Sequence, residues 1–184
     1  MPTSEYLVWM DLEMTGLDPE TCTILEIATI ITDNYLNIVE VGPELVIHQP
    51  NSVLDAMDAW NTTHHTASGL ISRVRASTIT LEQAERETFN CVRRYISEPR
   101  TAPLCGNTIS QDRRFLRKYM PSLEAHLHYR NIDVSTIKEL SYRWYPIGRG
   151  YQAPRKESEH RALDDIRGSI EELRFYRDRL FIRA

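Results

Sequence analysis

Acidic residues stand at three separated places in this chain. Asp11 and Glu13 flank Leu12, Asp112 lies mid-chain, and Asp164 and Asp165 follow His160 near the end. None of these groups means much alone. Together, the carboxylates and the imidazole supply ligands for a pair of hard divalent cations and a base for water, the set that phosphodiester hydrolysis at neutral pH requires.

Asp11 and Glu13 end an apolar run that reads as a strand, so both side chains leave one face, and Leu7 and Trp9 share their parity. Carboxylates on one face repel unless something positive sits between them, and a metal ion is the simplest candidate. The alternative is a solvated strand end, although Asp and Glu are poor strand formers after so apolar a run. Asp112 opens a predicted helix, where favourable charge at the N-terminus explains an aspartate without any ligand role. His160 precedes Asp164 by four residues and Asp165 by five. On an unbroken helix, i and i+4 share a face while i and i+5 are splayed by roughly 140°, so periodicity alone pairs His160 with Asp164. That argument lapses if His160 lies in a loop, which the preceding Pro154-Arg155-Lys156-Glu157-Ser158-Glu159 favours.

The elements that must position these groups follow from the apolar pattern. Residues 6–13 and 24–32 read as strands, and a third runs from about Ile38 to His48, joined by connections short enough for an antiparallel meander. Asp55–Asn61 and His64–Arg73 read as short helices and Leu81–Ile96 as a longer one. Ala102–Cys105 and His128–Ile132 read as short strands around a helix at Gln111–Tyr119. Asp133 is placed to cap a helix reaching about Trp144, and the last helix runs from about Arg161 to Phe181. A three-strand meander followed by alternating strands and helices implies an α/β fold, one mixed sheet flanked by helices.

A length of 184 residues suits a single domain spanning 1–184, and 41% hydrophobic with 26% charged residues is ordinary for a globular protein. No apolar run approaches the roughly 20 residues of a membrane helix, and Met1-Pro2-Thr3-Ser4-Glu5 lacks the character of a secretory leader. Cys22, Cys91 and Cys105 fit neither a disulfide framework nor a zinc pattern and read as reduced cytosolic thiols. A net charge of −4 and a pI near 5.9 argue against a long nucleic-acid partner, which calls for a basic face. Any nucleic-acid substrate should be short and held by a few pointed contacts.

Three segments now carry a family resemblance: Trp9-Met10-Asp11-Leu12-Glu13-Met14-Thr15-Gly16-Leu17, Gly106–Leu116 with Asp112 inside it, and His160-Arg161-Ala162-Leu163-Asp164-Asp165-Ile166. With Trp60–Leu70 and His128–Thr136 between them, the chain resembles the oligoribonucleases, members of the DEDDh branch of 3′→5′ exonucleases, over nearly its whole length. The resemblance implies an RNase H-like five-stranded mixed sheet, a homodimer, and two Mg²⁺ or Mn²⁺ ions per site. It implies stepwise trimming of very short RNA, down to dinucleotides, into nucleoside 5′-monophosphates in the cytoplasm. Its pattern makes Asp11, Glu13, Asp112 and Asp165 the metal ligands and His160 the base, which places His160 on a loop.

Base stacking by Leu17 and Trp60, and a further substrate contact at Ser110, are implied in the same way; without the family, Trp60 reads as ordinary core. A cap on the 5′ phosphate would draw on Tyr129, Arg130, Ser135 and His65, with Tyr129 contributed to catalysis by the partner subunit. Surface charge, helix capping and a core histidine are the plain alternatives for Arg130, Ser135 and His65. Two other functions stay open: an exonuclease of the same superfamily acting on longer polynucleotides, and a non-catalytic module that keeps the fold and a structural cation. The first sits badly with the acidic pI, and the second with five filled positions.

Overall fold

The apolar run beginning at Tyr6 becomes the central strand of a five-stranded mixed sheet. The computed structural model describes residues 4–146, 148–153 and 161–181. β1 (Tyr6–Met14), β2 (Ile24–Asp33) and β3 (Ile38–Val46) form the expected antiparallel meander. The β2–β3 turn closes on Asp33, whose carboxylate accepts the amides of Tyr35 and Asn37 at 2.8 Å each. β4 (Leu104–Gly106) and β5 (Asn131–Asp133) extend the other side of β1 in parallel, giving the order β3-β2-β1-β4-β5.

Parallel pairing needs crossovers, and helices supply them. After β3 come α1 (Asn51–Leu54), α2 (Ala59–Ala67), α3 (Leu70–Ala76) and α4 (Leu81–Tyr95). α5 (Ile109–Tyr119) and α6 (Pro121–His126) link β4 to β5, and α7 (Val134–Trp144) and α8 (Ala162–Leu180) follow. Among the described residues no helix is long and apolar enough to cross a membrane.

Strand alternation sorts β1 into two cores. Val8, Met10 and Leu12 pack with Ile27, Ile31, Val92, Phe115 and Leu116 on the α4–α5 side. Leu7 and Trp9 pack with Cys105, Val134, Ile166, Ile170 and Tyr176 on the α7–α8 side. Trp9 is wholly buried, its indole N–H donating to Thr32 Oγ1 at 3.0 Å, so its apolar area, a burial of the order of 2 kcal/mol or more, comes without an orphaned donor. The face carrying Leu7 and Trp9 is therefore the face on which Asp11 and Glu13 leave the strand.

The structure corrects several element boundaries. The segment read as Asp55–Asn61 is not one helix: α1 ends at Leu54, and α2 starts afresh at Ala59 because Asp58 caps it through the Asn61 amide at 2.8 Å. His64 sits inside α2, and the break falls at Gly69, whose φ of 74° favours glycine. The expected His128–Ile132 strand shifts to Asn131–Asp133, since only those residues pair with β4. Tyr129 and Arg130 consequently precede the strand. α6 was not anticipated, although Pro121 at its first turn is a start signal.

Candidate active site

At the C-terminal end of β1, Asp11 and Glu13 continue the Leu7–Trp9 face toward α8. Ala162 and Ile166 pack into the same core, which docks the first turn of α8 there. That turn brings Asp165 round, and carboxylate oxygens of Asp11, Glu13 and Asp165 lie within 4.8 Å of one another. Asp164 points to solvent. Asp112, buried in the first turn of α5, approaches from the other flank, and its Oδ1 accepts the Leu12 amide at 2.9 Å. It thus binds the backbone between the two β1 carboxylates without joining the tight trio.

Crowding acids in a buried place disfavours their ionisation. Burial pushes the Glu13 carboxyl up to about 8, with further increments from the charges of Asp165, Glu26 and Asp112. Burial likewise pushes Asp112 up to about 7, against the lowering effect of the Leu12 amide. A divalent cation among these oxygens would relieve the repulsion and displace the protons, and hard oxygen donors suit Mg²⁺ or Mn²⁺. The residues present fit such ions.

The chain has the outline of known nucleases. The exonuclease family profile (RNase_T) matches residues 8–173. The oligoribonuclease of Marinobacter nauticus is 56% identical over 98% of this chain and 99% of its own length. That of Coxiella burnetii is 53% identical over 97% and 96%. This chain belongs to the oligoribonuclease family. Among solved structures, exonuclease I of Methylocaldum szegediense superimposes with a TM-score of 0.64 at 19% identity, covering 95% of this chain. The zinc-bound form of the E. coli exonuclease I–ssDNA complex gives 0.69 at 15%, covering 96%. This chain spans about two fifths of those longer proteins, at 41% of each, and the likeness shows the RNase H-like exonuclease fold.

The remaining oligoribonuclease positions fall in distinct places. Leu17 is exposed just past the β1 end, next to Gly16, where a Cβ would stand 2.6 Å from Cys22 Sγ and displace that side chain. Gln111 Nε2 donates to the Leu17 carbonyl, and Arg114 Nη1 does so at 3.5 Å, tying Leu17 to α5. Trp60 is 62% exposed, which removes the core-packing alternative, and one indole face is stacked on His64 at 3.8 Å. Ser135 lies at the start of α7, bonded to Asn107 and Thr108. Ser110 is exposed in a groove with Arg114, Arg117 and Lys118, on the outer side of α5.

The residues expected to cap the phosphate fall in different places. His65 is buried, donates from Nε2 to the Met14 carbonyl at 2.9 Å and turns Nδ1 to Glu13 at 3.9 Å. It backs the carboxylates, because α2 packs behind the β1 end. Arg130 lies against the Tyr129 ring, 5.4 Å from its centre, and both line a cleft with Ser4, Leu7 and Asn34. Register sets Asn131 opposite Leu104 and Leu104 opposite Val8, so that cleft opens at the far end of the sheet. Asp11 and Glu13 lie three and five residues beyond Val8 along β1, roughly 10–16 Å away. The Tyr129 and Arg130 of one chain are thus remote from that chain's own carboxylates. His160 lies outside the described residues.

Sequence reasoning overlooked Asn107, which stood in view inside the second motif, and Glu26, a carboxylate within the otherwise apolar Ile24–Ile31. Glu26 is 1% exposed, pairs with Arg73 at 2.6 Å and faces Glu13 across β1–β2.

Proposed function

We propose that this oligoribonuclease-family chain is a 3′→5′ exoribonuclease that hydrolyses very short RNA, dinucleotides above all, to nucleoside 5′-monophosphates. The observation that carries this reading is the convergence of Asp11, Glu13 and Asp165 within 4.8 Å, with Asp112 bonded to the backbone between the first two. These four would hold two divalent ions, Mg²⁺ or Mn²⁺. When bound, the ions supply Lewis acidity at the scissile phosphate and lower the pKa of the attacking water.

The chain's own groups do the rest. His160 takes the proton of the attacking water, a role suited to an imidazole. Glu13 and Asp112 give up their protons as the ions enter. Leu17 and Trp60 grip bases without reading them, which suits a substrate of any sequence. Ser135 meets the 5′ phosphate.

Tyr129 and Arg130 complete that cap from a second copy of the chain, since their own carboxylates are out of reach. A homodimer closing over the 5′ end explains why the substrate is short, and a net charge of −4 agrees with the lack of an electrostatic track for longer strands. The three free thiols support a reducing, cytoplasmic setting for this single-domain enzyme.

Product analysis on 5′-phosphorylated RNAs of two to ten nucleotides, with and without Mg²⁺, tests the reading. The expected outcome is metal-dependent release of monophosphates from the 3′ end, fastest for the dinucleotide. Equal rates on a dinucleotide and a 20-mer would sink the substrate class, and metal-independent cleavage would sink the chemistry.

A further inference from the structure

Behind the carboxylates, Asn107, Ser169 and Glu172 form a polar set that the proposed reaction does not use. Asn107 leaves β4 just before Thr108, a non-glycine residue held at a φ of 52° at the entrance to α5. Its side-chain Oδ1 accepts from Ser135 Oγ at 3.0 Å. Its Nδ2 donates to Ser169 Oγ at 2.9 Å and to Glu172 Oε2 at 3.1 Å. Ser169 in turn donates to the carbonyl of Asp165 at 2.8 Å. Glu172 is 5% exposed and is held by Lys138 at 3.0 Å and the Tyr176 hydroxyl at 3.3 Å.

The amide can sit only one way round. The Glu172 carboxylate accepts and never donates, so Nδ2 must face it, and Oδ1 is left for the Ser135 hydroxyl. Ser135 Oγ also accepts the Thr108 amide at 3.0 Å, and Asp133 Oδ1 shares that amide at 2.9 Å. One side chain thereby ties together the strand end that leads into α5, the start of α7 and α8 at Ser169 and Glu172.

We propose that Asn107 is a positioning residue that fixes Asp165 relative to Asp112 and Ser135. The claim rests on the reading of the two aspartates as metal ligands. The physical need is plain. Ligand oxygens of Asp11, Glu13 and Asp165 converge within 4.8 Å, and like charges held so close repel, so the first turn of α8 needs holding against β1. Bonds one turn behind Asp165 resist that push and set the ligand oxygens in place before binding. They also join the start of α7 at Ser135 to the turn of α8 that carries Asp165. Groups that orient ligands from behind typically change metal affinity or activity 10–100-fold when removed.

The test compares the wild type with Asn107→Ala, Asn107→Asp and Ser169→Ala by calorimetric titration of Mn²⁺, thermal unfolding, and kinetics on a 5′-phosphorylated dinucleotide. Asn107→Ala should weaken Mn²⁺ binding about 10–100-fold, with kcat recovering as Mn²⁺ is raised, which a merely structural role would not produce. Asn107→Asp should be worse, because it sets a second carboxylate against Glu172. Ser169→Ala should fall between, since the bonds to Glu172 and Ser135 survive. Wild-type Mn²⁺ affinity and kcat in Asn107→Ala overturn the proposal whatever its melting temperature. If that variant does not fold, unchanged Mn²⁺ affinity in Ser169→Ala overturns it instead. A wild-type protein that neither binds Mn²⁺ nor cleaves the dinucleotide overturns the functional reading itself, and the proposal with it.

Discussion

Glu13 on β1 and Glu26 on β2 stand opposite each other in register, and burial raises both carboxyls above the ordinary range. Arg73 pulls Glu26 part of the way back, while Glu13 faces further acids. A site built like this is poised for cations and costs stability without them.

The pH dependence follows from Glu13. Its folded-state pKa, about 8, lies above the ordinary 4.5 of a glutamate, so the folded state binds this proton more tightly than the unfolded state does. The associated stability is fully present below pH 4.5 and is lost as pH rises through about 8. Thermal unfolding of metal-free protein should therefore show a declining contribution across that window. Saturating Mn²⁺ should raise the melting temperature most at pH 8 and little at pH 5. Glu13→Gln should flatten the metal-free slope and raise the melting temperature at pH 8 by roughly 2–4 °C, the shift that about 1 kcal/mol gives in a domain of this size. An identical slope in that variant removes Glu13 as the cause.

Trp60 and His64 form a stack on α2, and the Trp60 side chain stays 62% exposed. Base stacking is worth about 1–3 kcal/mol, so Trp60→Ala should raise KM for a dinucleotide roughly 5–150-fold. Its stability should change by no more than about 0.5 kcal/mol, as for other exposed positions. A large fall in melting temperature with unchanged KM would make Trp60 a structural residue.

Cross-subunit action by Tyr129 can be tested by complementation. Tyr129→Ala and Asp11→Asn homodimers should each be nearly inactive. In a mixed dimer, one of the two sites combines an intact Asp11 from one chain with an intact Tyr129 from the other. Random mixing puts half the chains' dimers in that state, so about a quarter of all sites should revive. No recovery after subunit exchange would show that Tyr129 serves its own chain or no site.

The parts of this fold that were legible in the sequence are those set by local rules. Period-two alternation placed Asp11 and Glu13 on the Leu7–Trp9 face, and Asp133 does cap α7 through the Ser135 amide at 2.9 Å. The parts that were not legible depend on pairing between distant segments. Whether Tyr129 falls inside or before β5 is decided by which residues β4 can bond, and that choice carried it to the far end of the sheet. His65 was open in the sequence between a phosphate contact and a core histidine, and it is the packing of α2 that buries it behind Glu13. Asn107 was visible as a letter, but its partners on α7 and α8 come from 28 and 62 residues away.

His160→Ala should lower kcat by about 10²–10⁴-fold, the usual share of a general base. Mn²⁺ affinity should stay close to wild type, because the carboxylates alone hold the ions. Kinetics and calorimetry on the same preparation separate the two effects. Near-normal turnover would exclude histidine as the base, and lost Mn²⁺ affinity would make it a ligand.

Asp164 and Asp165 give the sharpest contrast, because they are neighbours of identical chemistry with opposite surroundings. Periodicity from His160 favours Asp164, but α8 begins only at Ala162. Phase within α8 is set instead by Ala162, Ile166 and Ile170 in the core, which turns Asp165 toward Asp11 and Glu13 and leaves Asp164 in solvent. Asp165→Asn should abolish dinucleotide cleavage and weaken Mn²⁺ binding. Asp164→Asn should leave both within about twofold of wild type, as for a surface charge near a helix N-terminus worth a few tenths of a kcal/mol. The reverse result would mean that α8 docks one residue out of the phase its core residues dictate.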